Sequence, residues 1–297
     1  MKSLILVLTK TKDYELVDSG GGAKLERFGN FLVSRPDPEA IWHVVNESAW
    51  KDADAVYVRK GKNGSWKAKN LPADWKVEMN RLTFVLKPTV FKHVGIFPEQ
   101  SKQWEWMEEA IKNYELKIKN DIENAKKIKV LNLFAYTGGA SLVCARAGAE
   151  VTHVDASKVA VSWAKENAEI SGLTGSPLRW IVDDVLSFVR REVRRGNTYD
   201  AIVMDPPAFG RGPTGQEWNI EKDFSILVDE CLKLLSDKPL FFLVNGYSAG
   251  YSAVAYGNVL LPLVEKYDGT VEHGELVIKE TSGGRVLPAG IFARWSR

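Results

Sequence analysis

The chain has 297 residues, of which 45% are hydrophobic and 26% charged, proportions typical of a globular protein with one large and one smaller domain. Its formal net charge of +2 excludes a strongly basic nucleic-acid-binding protein, so a surface for an acidic partner has to be local. The two cysteines, Cys144 and Cys231, have no spacing to histidines that suggests zinc, and no metal is predicted. No apolar run reaches the length of a membrane span and no signal-peptide pattern is present, so we expect a cytoplasmic protein without membrane contact.

The first 90 residues are predicted to form a small β-rich domain, because short apolar runs alternate with turn-forming segments such as Ser19-Gly20-Gly21-Gly22. Residues 56–60 and 66–69 flank another turn and predict a hairpin rich in lysine and arginine. This composition, with one tryptophan and no acid, suits contacts with RNA phosphates and bases. The candidate contacts are Arg59, Lys60, Lys62 and Trp66. The alternative interpretation is a sheet edge that lysines protect from aggregation.

Residues 91–127 are predicted to connect two domains and to end in a charged amphipathic helix. From residue 128 onward strands alternate with helices, and the predicted parallel strands cover 129–134, 150–155, 178–182, 199–205 and 240–245. This alternation predicts a Rossmann-like, doubly wound, mostly parallel α/β sheet. The last two strand-like runs, 274–280 and 285–295, are joined by only four residues, so they predict a C-terminal antiparallel hairpin and seven strands in all. The predicted domains are 1–90, 91–127 and 128–297.

The predicted cofactor site lies where the first three parallel strands end. Glycines after the first strand let the backbone approach a ligand, and Asp155 at the end of the second is placed to accept hydrogen bonds from ribose hydroxyls. At the third strand end, Asp184 is expected to accept from an adenine amine while Val185 packs on the ring. Carboxylates without a G-x-G-x-x-G pattern favour an adenosine-containing cofactor that lacks phosphates and carries a sulfonium cation. The residues assigned to this site are Asn132, Ala135, Tyr136, Thr137, Gly138, Asp155, Ala156, Ser157, Asp184 and Val185.

The fourth parallel strand is followed by Asp205-Pro206-Pro207-Ala208-Phe209. Two consecutive prolines stiffen the backbone and remove two N–H donors, which leaves carbonyls and the Asp205 carboxylate as acceptors. A rigid group of acceptors next to an aromatic ring is suited to hold a planar group that bears N–H donors. We therefore predict that Asp205, Pro206, Pro207 and Phe209 form the catalytic site.

Residues 130–141, 154–167 and 204–209 resemble the class I S-adenosylmethionine-dependent methyltransferases, and more narrowly the bacterial group that contains the 23S rRNA base methyltransferases of the large subunit. The resemblance extends over residues 90–297. It implies S-adenosylmethionine as cofactor, S-adenosylhomocysteine as product, and RNA, with rRNA favoured, as partner. Gly95-Ile96-Phe97-Pro98-Glu99-Gln100 is similar to the motif that precedes the catalytic domain in this group, which implies that Phe97 and Gln100 lie at the edge of the cofactor.

The methylated atom is predicted to be a nucleobase nitrogen. The run from Asp205 to Phe209 resembles the Asp/Asn-Pro-Pro-aromatic motif of amino-group methyltransferases, with the aromatic displaced by one position because Ala208 is inserted. Carbon-5 cytosine methylators of the same group carry a nucleophilic cysteine just after the fifth strand, whereas residues 243–248 contain none.

The loop 210–218 is expected to be mobile and to close over substrate, with Arg211 either at a phosphate or in solvent.

Three other functions are compatible with parts of the pattern. A methyltransferase acting on a protein or a small molecule agrees with the near-neutral charge. A nicotinamide-dependent oxidoreductase shares the sheet, although the glycine pattern and the terminal hairpin argue against it. A non-catalytic RNA-binding module is the third alternative. The sequence gives no prediction of oligomeric state.

Overall fold

Two compact units make up the structure, a computed structural model that describes residues 1–61, 63–118, 126–247 and 250–297. The larger unit comprises Met1–Ile5, Gln103–Glu275 and Gly290–Arg297, and the smaller unit comprises Leu6–Lys102 and Leu276–Ala289. The segment 91–127, predicted to be a connection, is thus divided between the units.

The chain contains seventeen strands and eight α-helices within its described residues. The strands are β1 (Lys2–Leu8), β2 (Tyr14–Gly20), β3 (Ala23–Phe28), β4 (Phe31–Pro36), β5 (Ala55–Lys60), β6 (Asn63–Ala68), β7 (Trp75–Met79), β8 (Leu82–Leu86), β9 (Lys129–Leu133), β10 (Glu150–Asp155), β11 (Leu178–Val182), β12 (Ala201–Met204), β13 (Phe209–Arg211), β14 (Glu217–Asn219), β15 (Phe241–Gly246), β16 (Thr270–Lys279) and β17 (Val286–Ser296). The helices are α1 (Glu47–Lys51), α2 (Ser101–Ile118), α3 (Gly139–Arg146), α4 (Lys158–Ile170), α5 (Val185–Arg194), α6 (Ile220–Leu232), α7 (Ala253–Val259) and α8 (Leu261–Tyr267).

The large sheet has the strand order β1-β16-β17-β15-β12-β9-β10-β11. The five strands from β15 to β11 pair in parallel, and β17 pairs with β15 in antiparallel register. This confirms the predicted parallel core and the C-terminal hairpin. The sheet has eight strands rather than seven because β1, whose side chains are largely exposed, adds to its edge beside β16.

The helices that follow β10 and β11 begin at residues with capping side chains. Ser157 caps α4 by accepting from the backbone N–H of Ala160, and Asp184 caps α5 by accepting from that of Ser187. Every residue of β12 is buried, as expected for a central parallel strand covered on both faces. Because β9, β10, β11 and β12 pair in parallel, their carboxyl ends lie along one edge of the sheet.

The smaller unit contains a five-stranded sheet in the order β2-β3-β4-β5-β6 and a separate pair, β7-β8. A buried ion pair joins β3 to β4: the Arg35 Nε donates to Glu26 Oε2 at 2.7 Å, and the Tyr14 hydroxyl donates to Glu26 Oε1 at 2.9 Å. Burial would raise the pKa of Glu26, but the charges of Arg35 and Lys24 lower it below its ordinary value. The carboxylate is therefore held ionised in the interior of the unit.

Glu26→Gln is expected to lower the free energy of unfolding of the smaller unit by about 3–5 kcal/mol, because the Arg35 guanidinium remains buried without its counter-charge. Denaturant unfolding followed by tryptophan fluorescence measures this change. The control is Glu78→Gln, which breaks the exposed ion pair with Lys12 and is expected to cost no more than about 1 kcal/mol. Equal losses in the two variants would contradict the prediction.

Candidate active site

The turn after β9 has a backbone conformation that few side chains favour. Phe134 and Tyr136 have φ angles of 54° and 47°, and Gly138 has a φ of 93°. The left-handed region is costly for residues with a Cβ, so tertiary contacts have to hold it in place. The turn returns to the sheet through a hydrogen bond from the Ala135 N–H to the Val154 carbonyl at 3.1 Å. It then leads directly into the N-terminus of α3, where backbone N–H groups are available to a ligand.

Asp155 and Asn167 hold this turn. Asp155 Oδ2 accepts from the Tyr136 N–H and Oδ1 accepts from the Ser157 N–H, both at 2.8 Å. On the other side, Asn167 Nδ2 donates to the Thr137 carbonyl at 3.0 Å. Strained φ angles are thus supported by hydrogen bonds from both β10 and α4.

The Asp155 carboxylate has acceptor capacity beyond these two bonds. Burial raises its pKa, while the N–H groups of Ser157 and Tyr136 oppose that rise. In the described part of the chain no lysine or arginine forms an ion pair with it. A carboxylate has about four lone-pair positions, so each oxygen still accepts one further donor, such as a ribose hydroxyl. These acceptor positions fit an uncharged ribose and a cationic sulfonium better than they fit phosphates.

Glycines at the start of α3 bring neighbouring elements against the turn. A Cβ at Gly139 would lie 2.2 Å from the Trp104 ring of α2, and one at Gly138 would lie 3.1 Å from the Ala164 Cβ of α4. Because Gly138 and Gly139 have no side chains, α2 and α4 can pack closely against the N-terminus of α3.

A buried polar network lies beneath the turn. Asn132 Nδ2 donates to Ser141 Oγ at 2.9 Å, and Ser141 Oγ lies 3.0 Å from His153 Nδ1. A serine hydroxyl can donate one hydrogen bond and accept two, so the direction of the Ser141–His153 bond follows the tautomer of the imidazole. His153 Nε2 has no hydrogen-bond partner within the described residues, and the ring packs 4.8 Å from Trp180. Burial lowers the pKa of His153 to about 3.

His153→Gln is expected to flatten the dependence of stability on pH. The folded state excludes the proton down to about pH 3, whereas the unfolded state binds it below about pH 6.5. Stability contributed by neutral His153 is therefore present above pH 6.5 and is lost as the pH falls. Between pH 7 and pH 5 the free energy of unfolding of the wild type should fall by about 2 kcal/mol more than that of the variant. Urea titrations at both pH values test this, and Ser141→Ala, which keeps the imidazole, should retain the wild-type slope.

The third strand end contains two acids with different partners. Asp183 forms an ion pair with Arg191 of α5, while Asp184 is the N-cap of the same helix. Val185 is 2% exposed and belongs to the main hydrophobic core. A Cβ at Gly212 would lie 3.1 Å from the Asp184 Cβ, so the segment after β13 approaches this strand end. The predicted roles of Asp184 and Val185 at an adenine ring remain predictions.

The Asp205-Pro206-Pro207 segment is hydrogen-bonded to the end of β9, directly before the strained turn. The Asp205 N–H donates to the Leu133 carbonyl at 3.4 Å, and the Pro207 carbonyl accepts from Trp218 Nε1 at 2.7 Å. The Trp218 ring packs 4.9 Å from that of Phe134, whose backbone begins the strained turn. Trp218 therefore connects the predicted acceptor motif to the predicted cofactor site. Pro206 is buried and Asp205 is half-buried.

The segment that was expected to be a mobile loop forms a hairpin. β13 and β14 pair in antiparallel register, and the Ile220 N–H donates to the Ala208 carbonyl at 3.0 Å. Phe209 on this hairpin is 73% exposed, which leaves its ring accessible for stacking. Arg211 is also exposed and lies 3.9 Å from Glu217. Its contact with a phosphate stays a prediction.

Several predicted site residues lie in the smaller unit. Phe97 precedes a short 3-10 helix (Pro98–Gln100) and its ring packs 5.2 Å from His93, and Gln100 is buried. β5 and β6 form the predicted basic hairpin, on which Arg59 is exposed. Trp66 donates its indole N–H to the Thr89 carbonyl at 2.8 Å. The Lys60 side chain and Lys62 lie outside the described residues, and the roles of all these residues remain predictions.

No role was predicted for Asn167 or Trp218 from the sequence. Asn167 ends the 154–167 stretch that carried the resemblance, so its place in that motif was the available signal. Trp218 follows a glycine-rich segment without periodicity, and only its aromatic ring in an otherwise polar stretch marked it. Of the other assigned residues, Asn132, Ala135 and Thr137 are buried, whereas Ala156 is half-buried and Ser157 exposed.

Some kinds of site are absent from the part of the chain that the structure describes. Within those residues, no group of three or more His, Cys, Asp or Glu side chains is arranged to hold a metal ion. Likewise, no helix there has the length and apolarity needed to cross a membrane. Cys144 on α3 and Cys231 on α6 are free and fully buried, and burial raises the pKa of the Cys144 thiol to about 12.

Comparison with known proteins identifies the family. The S-adenosylmethionine-dependent methyltransferase from Agrobacterium tumefaciens is 40% identical, with a TM-score of 0.91 over 99% of this chain and 95% of that one. The chain belongs to the class I S-adenosylmethionine-dependent methyltransferases, enzymes that take their methyl group from that cofactor. The nicotinamide-dependent alternative is therefore excluded.

Other comparisons agree with this family. Residues 105–233 match the family described as conserved hypothetical protein 95. A putative S-adenosylmethionine-dependent methyltransferase from Streptococcus mutans has the same fold, with a TM-score of 0.70 at 17% identity over 97% of this chain and 76% of that one. Ribosomal RNA large subunit methyltransferase K/L from Shewanella frigidimarina is 37% identical over 116 residues, or 38% of this chain. The match spans only 16% of the length of that relative.

Proposed function

We propose that this methyltransferase acts on RNA, with ribosomal RNA favoured, and that it methylates a nucleobase nitrogen. The observation that carries the proposal is the Asp205-Pro206-Pro207 segment at the end of β12, which Trp218 joins to the strained cofactor turn. An acceptor cluster in that place suits an amine whose hydrogens need acceptors. RNA as substrate class is supported by the name of the Shewanella relative and by the exposed Arg59 on the hairpin of the smaller unit.

The chemistry needs orientation more than proton transfer. S-adenosylmethionine would supply an electrophilic methyl group on a sulfonium. The substrate nitrogen would form the new N–C bond as the C–S bond breaks, with S-adenosylhomocysteine as the leaving group, and the extra proton on nitrogen would pass to the Asp205 carboxylate or to water. The lone pair of an exocyclic amine is delocalised into the base, so the Asp205 carboxylate and the Pro206 carbonyl would accept the amine hydrogens and turn the lone pair toward the methyl. The exposed Phe209 ring would stack on the base. Asp155 and the N–H groups at the start of α3 would hold the ribose and position the cofactor.

A nitrogen target is also supported by the placement of the cysteines. Carbon-5 methylation of cytosine requires a nucleophile that adds to the base, and a cysteine thiolate is the usual group. Cys144 and Cys231, the two cysteines of the sequence, lie fully buried on α3 and α6. Burial raises the pKa of both thiols, which disfavours the thiolate.

Transfer of a labelled methyl group tests the substrate class. RNA, protein and small-molecule fractions from a strain that lacks the protein are incubated with the enzyme and labelled S-adenosylmethionine, and labelled RNA is digested to nucleosides for mass spectrometry. The expected product is one methylated nucleoside with the methyl on nitrogen. Label confined to the other fractions would overturn the RNA proposal, and RNA binding that requires no cofactor and yields no transfer would indicate a non-catalytic module.

A substrate other than RNA remains the second candidate, because the net charge of +2 is low for an RNA-binding protein. The two candidates differ in their response to salt. Contacts with phosphates release counterions, so RNA affinity should fall steeply as salt rises from 50 to 200 mM. Little salt dependence of substrate binding would favour a protein or small-molecule substrate.

A further inference from the structure

The hydroxyl of Tyr256 is buried without a partner. Tyr256 lies on α7, is 1% exposed, and stacks on Phe224 of α6 with ring centroids 5.0 Å apart at 29°. Across the residues that the structure describes, its Oη makes no hydrogen bond. Buried polar groups are paired in the great majority of cases, so an unpaired hydroxyl calls for a specific explanation.

The hydroxyl lies at the edge of the sheet where the acceptor motif is found. A Cβ at Gly246, the last residue of β15, would lie 2.6 Å from both Cε2 and Oη of Tyr256. β15 pairs in parallel with β12, whose end is followed by Asp205. Burial first, and then the Asp205 charge, raises the pKa of Tyr256 to about 12. The hydroxyl therefore stays protonated near neutral pH and keeps its hydrogen as a donor.

A second unpaired polar atom lies at the same strand end, on the opposite face of the sheet. Asn245 is 3% exposed, and its Oδ1 has no hydrogen-bond partner in the described structure. Successive side chains of a strand point to opposite faces of the sheet, so Asn245 faces away from Gly246 and Tyr256. The inference on Tyr256 therefore rests on its own unpaired hydroxyl beside the strand that leads to Asp205. Unpaired polar groups at a strand end of an open α/β sheet are suited to a ligand that satisfies them.

We propose that the Tyr256 hydroxyl donates a hydrogen bond to the methyl-accepting substrate, beside Asp205, and so selects the accepting group. This inference rests on the proposed function and specifies the substrate further. The accepting amine would be attached to a ring that carries a hydrogen-bond acceptor, a ring nitrogen or a carbonyl oxygen, next to the amine. Asp205 would hold the amine hydrogens while Tyr256 holds that neighbouring acceptor.

Tyr256→Phe tests the inference, because it removes one oxygen and keeps the ring that packs on Phe224. We expect kcat/KM for the RNA acceptor to fall about tenfold, the Kd for S-adenosylhomocysteine to stay within about twofold, and the Tm to be unchanged or higher. A merely structural hydroxyl would not separate acceptor turnover from cofactor affinity in this way. The matched control is Tyr267→Phe on α8, where the ring packs 6.0 Å from Trp295, and it should leave kcat/KM unchanged.

The outcomes separate this inference from the proposed function. If the wild type methylates RNA and Tyr256→Phe matches it, the inference is overturned and the proposed function stands. If the wild type labels only protein or small molecules, the RNA proposal is overturned. The role of Tyr256 is then decided by comparing kcat/KM of Tyr256→Phe with that of the wild type on the labelled substrate. If no fraction is labelled, both are overturned.

Discussion

Asp205→Ala is expected to lower kcat by about 100- to 1,000-fold and to leave the Kd for S-adenosylhomocysteine within about threefold. The carboxylate follows β12 and belongs to the segment that Trp218 holds through the Pro207 carbonyl. Its proposed task is to orient the accepting amine, and a misplaced nucleophile slows an in-line displacement strongly. Single-turnover methyl transfer measures the chemical step, and isothermal titration calorimetry measures cofactor affinity.

Asp205→Asn is the matched variant for this experiment. It keeps the shape of the side chain and one oxygen acceptor, so kcat should lie between those of the wild type and Asp205→Ala. A large loss of S-adenosylhomocysteine affinity in both variants would make Asp205 a cofactor ligand and contradict the proposed role.

Asp155→Ala is expected to weaken S-adenosylhomocysteine binding by about 100-fold or more, equivalent to about 2.7 kcal/mol. Two effects add. The variant loses the predicted acceptors for the ribose hydroxyls, and it also releases the Tyr136 and Ser157 N–H groups that Asp155 holds at 2.8 Å. The strained φ of Tyr136 then lacks its support from β10. Calorimetric titration of the purified variant measures the change in affinity.

The control for Asp155 is Asp183→Asn, which removes a neighbouring carboxylate that is paired with Arg191. The Asp183 N–H donates to the Asp155 carbonyl at 3.1 Å, a backbone bond that Asp183→Asn keeps, so the replacement should change S-adenosylhomocysteine affinity less than about threefold. Equal weakening in the two variants would show that the general negative charge of this edge, rather than the position of Asp155, determines affinity.

The strands of the parallel core could be predicted from the sequence because chemical boundaries mark them. β10 and β11 cover the predicted residues 150–155 and 178–182. β10 ends at Asp155, and β11 is followed directly by Asp183. β12 is shorter than the predicted 199–205, since Tyr199 instead forms an isolated bridge with Leu235. β13 and β14 were missed because strands of three residues in a glycine-rich segment carry too little periodicity to detect.

The contacts of the site could be predicted less completely than its position. The rule that ligands bind at the carboxyl ends of parallel strands predicts that Asp155, Asp184 and Asp205 belong to one site, and the strands that precede them are parallel. It did not show that Asp184 caps α5 or that the Pro207 carbonyl is occupied by Trp218. Hydrogen bonds between residues that are distant in sequence depend on how helices pack, and a single sequence contains no record of that packing.

The place of β1 in the sheet has a consequence for biosynthesis. β1 ends at Leu8, whereas its neighbour β16 begins at Thr270, so the ribosome adds more than 260 residues between the two strands. At about 5–20 residues per second, β1 waits about 13–50 s for its partner. During this time β1 exposes an apolar run that includes Ile5 and Val7, and Lys2 is its one charged residue. The rate of translation therefore limits how soon β1 can pair with β16. We expect β1 to be the last strand to join the eight-stranded sheet.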